Sequence, residues 1–213
     1  MDFNTSDFVD KIIHSEAILP EDIPNIGLYM DQITTFLEDR LKDSRRYPDD
    51  KIMTKTMVNN YTKAHLLPPS DRKKYSREHV LLLIMIYYMK NVLSISDIQT
   101  MTEPLTGKYF PKDEKSGISL SEIYRRSLDS IIDSREQMTK DLSDLWEETS
   151  KTFDTDGLPE EDALYLNGLA YVYRLSHEIY IRKQLIERMI DSYRQSLPDE
   201  KKGKEKKPSR KAR

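Results

Sequence analysis

The sequence predicts an all-α protein in two parts, a small N-terminal helical unit and a long antiparallel helical hairpin. Apolar residues recur at helical spacing along most of the 213 residues, as expected for amphipathic helices. Charged residues make up 33% of the chain and hydrophobic residues 37%, which is typical of a soluble protein. The longest apolar run, residues 80–88, is too short to span a bilayer, which takes roughly 18 residues. No membrane partner is therefore expected.

The N-terminal unit is predicted over residues 20–103 as a series of helices. In residues 28–41 the apolar side chains fall on one helix face. Thr54 suits the N-cap of a short helix that runs to about Ala64. This helix must end before Pro68, because a proline disfavours helical backbone in the residue that precedes it.

A short basic loop and two further helices complete this unit. Residues 71–75 form the loop, and Ser76 begins the most apolar helix of the half, which is predicted to be its central buried element. Ser94 and Asp97 have the spacing of a capping box and begin the next helix. Residues 104–118, which contain two prolines and two glycines, are predicted to be an interdomain linker.

Residues 119–197 carry two long helical patterns separated by a turn. Between Tyr124 and Thr149 the apolar positions form a heptad-like seam that Arg135 interrupts. Gly157 suits the end of one helix and Pro159 the start of the next. Two such helices cannot bury a broad apolar stripe on each other alone, so the hairpin is expected to form a homodimer or to pack on the N-terminal unit.

Charge is distributed unevenly along the chain. The net charge is −3, yet residues 51–80 hold seven Lys or Arg against two acids, and residues 199–213 hold eight against three. Two basic segments on an acidic body favour a polyanionic partner. The tail, residues 198–213, offers nothing to a hydrophobic core and is predicted to be disordered.

The order of helix, loop, short helix, basic loop and buried helix is that of a winged helix-turn-helix with a minimal wing, so the predicted partner is double-stranded DNA. A helix spanning 55–64 fits the major groove, where Asn59 and Asn60 can pair with an adenine edge. Lysines at both ends of this helix and the loop tip can reach phosphates. The predicted DNA-binding residues are Thr54, Lys55, Asn59, Asn60, Tyr61, Lys63, Arg72, Lys73, Lys74, Tyr75 and Arg77.

A plainer interpretation stands beside each of these assignments. The lysines and the basic loop can form an ordinary solvated surface, and Asn59 and Asn60 can be exposed helix residues. Tyr61 and Tyr75 fit the hydrophobic core better than a contact role. The tail can bind DNA or RNA phosphates without reading sequence, or serve solubility alone.

The stretch "MVNNYTKAHLLPPSDRKKYSREHVLLLIMIYYMKNVLSISDIQTM" resembles the DNA-binding half of the MerR family of transcription regulators. From "LYMDQITTFLEDRL" onward, the chain is more similar to a bacterial family named only as a domain of unknown function. The resemblance implies a dimeric regulator that represses or activates transcription by distorting DNA. The matching positions are Tyr61, Leu66, Leu67, Pro68, Arg72, Tyr75, Leu93, Ser94, Ile95 and Ile98.

The chain departs from the MerR pattern in three places. Asn59 and Asn60 stand where the family has arginine and its first tyrosine, and His65 stands where it has glycine. The loop between the first two helices, 42–53, is longer. The chain has no cysteine, which excludes the thiolate metal sensing that is common in the family, disulfides and cysteine nucleophiles.

The sequence contains no constellation that indicates an enzyme. The four histidines lack metal-ligand spacing, and "DTDG" fails the spacing of a calcium loop. Phosphate-binding glycine loops and nucleophile elbows are missing, so no cofactor or metal is expected. The N-terminus lacks the pattern of a signal peptide, and a cytoplasmic location is expected.

Two other functions stay open on the sequence alone. The winged-helix unit can be a scaffold for a protein-interaction adaptor whose acidic helical half binds another protein. The tail can belong to an RNA-associated factor. Four tyrosines of the hairpin can line a small-molecule effector pocket or pack in a helical core: Tyr165, Tyr171, Tyr173 and Tyr180.

Overall fold

The computed structural model describes residues 5–13, 17–110, 117–154 and 157–197, so the predicted tail and residues 111–116 of the predicted linker lie outside it. The all-α class is confirmed. Two short strands, β1 (Leu28–Tyr29) and β2 (Lys74–Tyr75), pair antiparallel. The helices are α1 (Thr5–Ile13), α2 (Met30–Arg40), α3 (Lys55–Lys63), α4 (Arg77–Met89), α5 (Ile95–Lys108), α6 (Leu120–Asp133), α7 (Arg135–Thr149) and α8 (Glu160–Ser196), with 3-10 turns at Pro20–Asp22 and Lys42–Ser44.

Helix α4 is the centre of the N-terminal core. Its residues Val80–Ile84 are each at most 1% exposed, and α2, α3 and α5 pack their apolar side chains around them. This explains why α4 is apolar on nearly every face, since a helix surrounded by others has no side left for water. Core side chains from α2 and α3 include Ile33, Leu37, Val58 and Tyr61.

The ends of α3 are set by local chemistry. Thr54 Oγ1 accepts a hydrogen bond from the Met57 N–H at 3.1 Å, which caps the first turn. After Lys63 the chain turns through His65, whose φ is 57°, in the left-handed region that favours glycine. The N–H of Leu66 then donates to the Tyr61 carbonyl at 2.9 Å, in the manner of a left-handed helix cap.

The long loop before α3 is held by one carboxylate of α2. Glu38 Oε1 accepts the N–H groups of Ile52 at 3.1 Å and Met53 at 3.3 Å, and the other carboxylate oxygen pairs with Arg45. Ile52 and Met53 are almost fully buried. The loop is therefore anchored at both ends, which fixes where α3 begins relative to α2.

Helices α5 and α6 do not follow the predicted boundaries. Helix α5 continues through Pro104 to Lys108, into the segment predicted to be a linker. Proline removes one helical hydrogen bond and crowds the preceding turn, yet the helix persists here, where the neighbouring Thr102 is fully buried. Helix α6 packs on α4 and on the turn at Pro20–Asp22, so it belongs to the N-terminal core and not to the hairpin.

One tyrosine shows how α6 is attached. Tyr124 is 6% exposed, and its hydroxyl donates to the Ile18 carbonyl at 2.9 Å. Arg125 beside it pairs with Glu21. The predicted seam from α6 into α7 is divided at Ser134, because α6 follows the N-terminal core whereas α7 packs against α1 and α8.

The long helical hairpin is confirmed, with arms of unequal length. Helix α7 has 15 residues and α8 has 37, which is about 55 Å of helix at ~1.5 Å per residue. Asn167 joins the turn to α8: its Oδ1 accepts from the Phe153 N–H at 2.9 Å, and its Nδ2 donates to the Ser150 carbonyl at 2.6 Å. Within the residues described, no helix has the length and hydrophobicity to cross a membrane.

Candidate nucleic-acid interface

The outer face of α3 is polar and carries no acid. Val58 and Tyr61 turn inward and are 0% and 7% exposed. The opposite side of the helix is exposed, and its members lie three or four residues apart, so they share one face. This face consists of Lys55, Thr56, Asn59, Asn60 and Lys63.

The lysine at the start of α3 has a partner on the neighbouring helix. Lys55 Nζ pairs with an Asp31 carboxylate oxygen of α2, and both side chains are largely exposed. An exposed ion pair of this kind contributes only about 0–1 kcal/mol. The ammonium can therefore exchange this carboxylate for another anion at little cost.

The basic loop is an ordered hairpin. Asp71 and Lys74 exchange both backbone hydrogen bonds, at 3.0 and 2.8 Å. Between them, Arg72 and Lys73 have φ of 48° and 64°, as in a type I′ turn. Both side chains are exposed at the tip. A tight turn of this type presents two cations from a defined backbone.

Strand pairing fixes this hairpin to the beginning of the unit. Tyr29 pairs with Lys74 in the sheet, and Lys74 Nζ lies 5.4 Å from the centroid of the Tyr29 ring. Gly27 lies against the same lysine, since a Cβ at position 27 would be 3.1 Å from Lys74 Cβ and Cδ. Lys74 is thus packed against the preceding strand, whereas Arg72 and Lys73 form the free tip.

Four of the predicted DNA-binding residues are buried or half-buried and hold the scaffold. Thr54 caps α3, and Tyr61 and Tyr75 lie in the core. Arg77 donates from Nε at 3.2 Å and from Nη2 at 3.0 Å to the carbonyl of Ile23. The remaining seven are exposed on α3 and the hairpin. The Arg77 contact joins residues 54 positions apart, which no local sequence pattern indicates.

The family described as "Domain of unknown function (DUF1836)" matches residues 18–127, more than half of the 213 residues. The chain belongs to the DUF1836 family. Comparison with the curated proteins and with the solved structures finds no match. The DUF1836 region begins at Ile18 and ends just after Tyr124. The hydrogen bond from the Tyr124 hydroxyl to the Ile18 carbonyl therefore connects its two ends. Its limits therefore enclose α3, the hairpin, the buried α4 and most of α6.

A buried histidine joins the hairpin of the DUF1836 region to α4. His79 is 5% exposed; its Nδ1 accepts from the Ser76 N–H at 3.0 Å, and its Nε2 lies 3.4 Å from the Pro69 carbonyl. The rings of Tyr75 and Phe110 contact it edge-on, at 5.3 and 4.6 Å between centroids. Burial lowers the pKa of His79 and so favours its neutral form; because Nδ1 accepts from the Ser76 N–H, the neutral ring carries its proton on Nε2. Sequence reasoning tested the histidines for metal spacing only and missed this role.

The tyrosines proposed for an effector pocket lie outside the DUF1836 region and do not converge. Tyr171 is 9% exposed, stacks edge-on with Trp146 at 5.2 Å, and donates to the Leu142 carbonyl at 3.2 Å. The others are exposed on α8 to 63%, 75% and 55%: Tyr165, Tyr173 and Tyr180. One tyrosine therefore belongs to the α7–α8 packing and three to the helix surface.

Proposed function

We propose that this DUF1836 protein is a DNA-binding transcription regulator of the MerR-like, winged helix-turn-helix type. In this proposal α3 enters the major groove and the hairpin tip contacts the sugar-phosphate backbone. The observation that carries it is the outer face of α3, where two asparagines lie between two lysines without any acid in the helix.

The chemistry of this face fits a base edge. Asn59 and Asn60 are exposed, and an asparagine amide can donate to and accept from one adenine edge in the major groove. Lys55 and Lys63 lie at the two ends of the face, where they can neutralise phosphates on either side of the groove. Phosphate contacts of this kind fix the register, while base contacts select the sequence.

The β-hairpin supports the proposal because the backbone that carries its cations is ordered before binding. Arg72 and Lys73 lie on a two-residue turn whose base is paired to β1. An ordered cationic tip loses less conformational entropy on binding than a flexible loop does. The left-handed backbone at His65 also supports the MerR-like resemblance, since the family has glycine at that place.

We further propose that the protein is a homodimer through α8. Four apolar residues of α8 follow each other at intervals of seven and are 63%, 55%, 63% and 38% exposed: Tyr165, Val172, Ile179 and Ile186. A heptad seam open to solvent is the surface that a second helix covers in a coiled coil. Two copies would place two α3 helices on half-sites one duplex turn, ~34 Å, or a multiple apart.

Selection of bound duplexes from a library of genomic fragments tests the DNA proposal. We expect recovery of a shared motif with two-fold symmetry. A chain lacking residues 199–213 is the matched control: it should recover the same motif with weaker overall binding, because a basic tail adds phosphate contacts without reading bases. A bound pool that does not differ from the input library would refute sequence-specific DNA binding.

Sedimentation equilibrium tests the dimer. We expect the parent chain to be a dimer at micromolar concentration, and Ile179→Asp to be a monomer because a carboxylate in the seam cannot be buried without a partner. His177→Asp is the control, since it places a new carboxylate on the same helix at an exposed position outside the seam. A parent that stays monomeric at high micromolar concentration would refute the proposal.

A further inference from the structure

The C-terminal end of α8 returns to the DUF1836 region. Ile190 is 3% exposed, and Arg194 Nη2 lies 3.1 Å from Asp97 Oδ1 and 3.0 Å from Thr100 Oγ1 on α5. None of residues 172–189, between this contact and the packing on α7, is buried. Helix α8 is therefore held near its two ends, and the second attachment is made on the proposed DNA-reading unit.

Two oxygen atoms on α5, Asp97 Oδ1 and Thr100 Oγ1, are available to accept from the guanidinium of Arg194. Asp97 Oδ2 accepts from the Ser94 hydroxyl at 2.6 Å, which leaves Oδ1 for Arg194. The Thr100 hydroxyl donates to the Ser96 carbonyl at 3.0 Å, so its oxygen accepts from the same Nη2. Asp97, which accepts from the capping hydroxyl of Ser94 at the start of α5, is thus also part of the docking point for α8.

This ion pair differs from the others on α8. The side chains of Arg194 and Asp97 are 29% and 18% exposed, whereas those of Arg182 and Glu178 are 72% and 35% exposed and belong to the same helix. Partial burial reduces screening by salt, and a planar guanidinium can meet two acceptors in a fixed geometry. A contact with these properties can define an orientation as well as add stability.

We infer that Arg194 is a positioning residue that clamps the DUF1836 region onto α8. It thereby sets the orientation of α3 relative to α8, the helix through which we propose that the protein dimerises. The inference rests on the proposed function for its consequence on DNA. With the clamp closed, two copies hold their α3 helices at one separation. With the clamp open, each DUF1836 region can turn about the residues that join it to the α7–α8 hairpin. The dimer then binds half-sites at several separations with equal affinity.

Spin-label distances test the clamp without DNA. Because the chain has no cysteine, Asp39→Cys on α2 and Arg188→Cys on α8, both exposed, provide a unique label pair; dilution with unlabelled chain suppresses distances between copies. We expect a narrow distribution in the parent, a broad one in Arg194→Ala, and an intermediate one in Arg194→Lys, whose ammonium can meet Asp97 without the fixed fork. Arg182→Ala is the matched control and should keep the parental width.

Binding to spaced half-sites tests the consequence. On the duplex selected by the parent, insertion of five base pairs between half-sites should weaken the parent strongly, and Arg194→Ala should lose about tenfold of that preference, since a loose attachment removes the defined span. Thr100→Val should shift both readouts in the same direction but less. Parental distances and parental spacing preference in Arg194→Ala would overturn the inference. If the parent binds no duplex, the proposed function fails while the label distances still decide the clamp.

Discussion

In the DUF1836 region, α4 buries five successive residues, Val80–Ile84, each at most 1% exposed. In α8, only Asn167, Gly168, Tyr171 and Ile190 are buried among 37 residues. The first region surrounds its apolar helix with its own neighbours, so it is complete as a single copy. The second leaves apolar side chains in water, which is the condition that a partner helix relieves. The comparison separates a region that is packed as a single copy from a helix with an exposed apolar face, on which we propose that the protein associates.

Shortening a buried side chain of α4 should have the largest effect on stability. Leu82 is fully buried, and a Leu→Ala change removes apolar contacts and leaves a cavity. We expect Leu82→Ala to lower the free energy of unfolding by about 2–5 kcal/mol, measured by urea denaturation. A loss below ~1 kcal/mol would show that α4 is not the centre of the core.

The attachment of α6 should give the next largest effect. Tyr124→Phe removes the hydroxyl that donates to the buried Ile18 carbonyl, leaving an acceptor without its donor at a cost of about 1–3 kcal/mol. Urea denaturation of this variant, compared with Tyr109→Phe on the half-buried end of α5, isolates the hydrogen bond. Equal stability of the two variants would contradict the assignment of α6 to the DUF1836 region.

The buried histidine should make stability depend on pH. Burial lowers the pKa of His79 below its ordinary value of 6.5, so below about pH 6.5 the unfolded chain binds more protons than the folded chain, and stability falls as pH falls. His79→Gln keeps a side-chain acceptor for the Ser76 N–H but does not titrate. Urea denaturation at pH 7.5 and 5.5 should show a smaller pH-dependent loss in His79→Gln than in the parent. If the two chains lose equal stability between pH 7.5 and 5.5, His79 is not a source of the pH dependence.

Shortening an exposed side chain of α8 should have the smallest effect on the stability of a single copy. Tyr173 is 75% exposed, and exposed side chains away from special contacts change stability by no more than about 0.5 kcal/mol. We expect this for Tyr173→Ala in the Ile179→Asp background, where self-association does not contribute. A loss comparable to that of Leu82→Ala would mean that α8 is packed within one copy, and the contrast between the two regions would fail.

Local signals in the sequence predicted much of this architecture. Thr54 and Ser94 do cap α3 and α5, and the apolar stretch after Ser76 is the buried α4. These features depend on residues within one turn of each other, so a single stretch of sequence contains the information. Asn59 and Asn60, which the sequence places on the DNA side of α3, are exposed, and Tyr61 lies in the core, as the plainer interpretation of that residue expects.

Contacts between distant residues could not be predicted. Arg77 was expected on DNA, yet it donates to the Ile23 carbonyl. The division of the seam at Ser134 depends on what α6 and α7 pack against, and the Arg194 contact joins positions 97 residues apart. Apolar periodicity shows that a face is buried or paired, but it does not show with which element.

Salt titrations of DNA binding by Asn59→Ala and Lys73→Ala test the central claim most directly. On the duplex selected by the parent, Asn59→Ala should lose about 1–3 kcal/mol of discrimination against altered bases at an unchanged salt slope. Lys73→Ala should weaken binding to all sequences alike. It should also reduce the salt slope, which is the slope of log K for DNA binding against log salt concentration, by about one. Lys140→Ala, exposed on α7, should bind as the parent does. If all three variants match the parent in affinity, discrimination and slope, α3 and the hairpin do not form the DNA-binding surface.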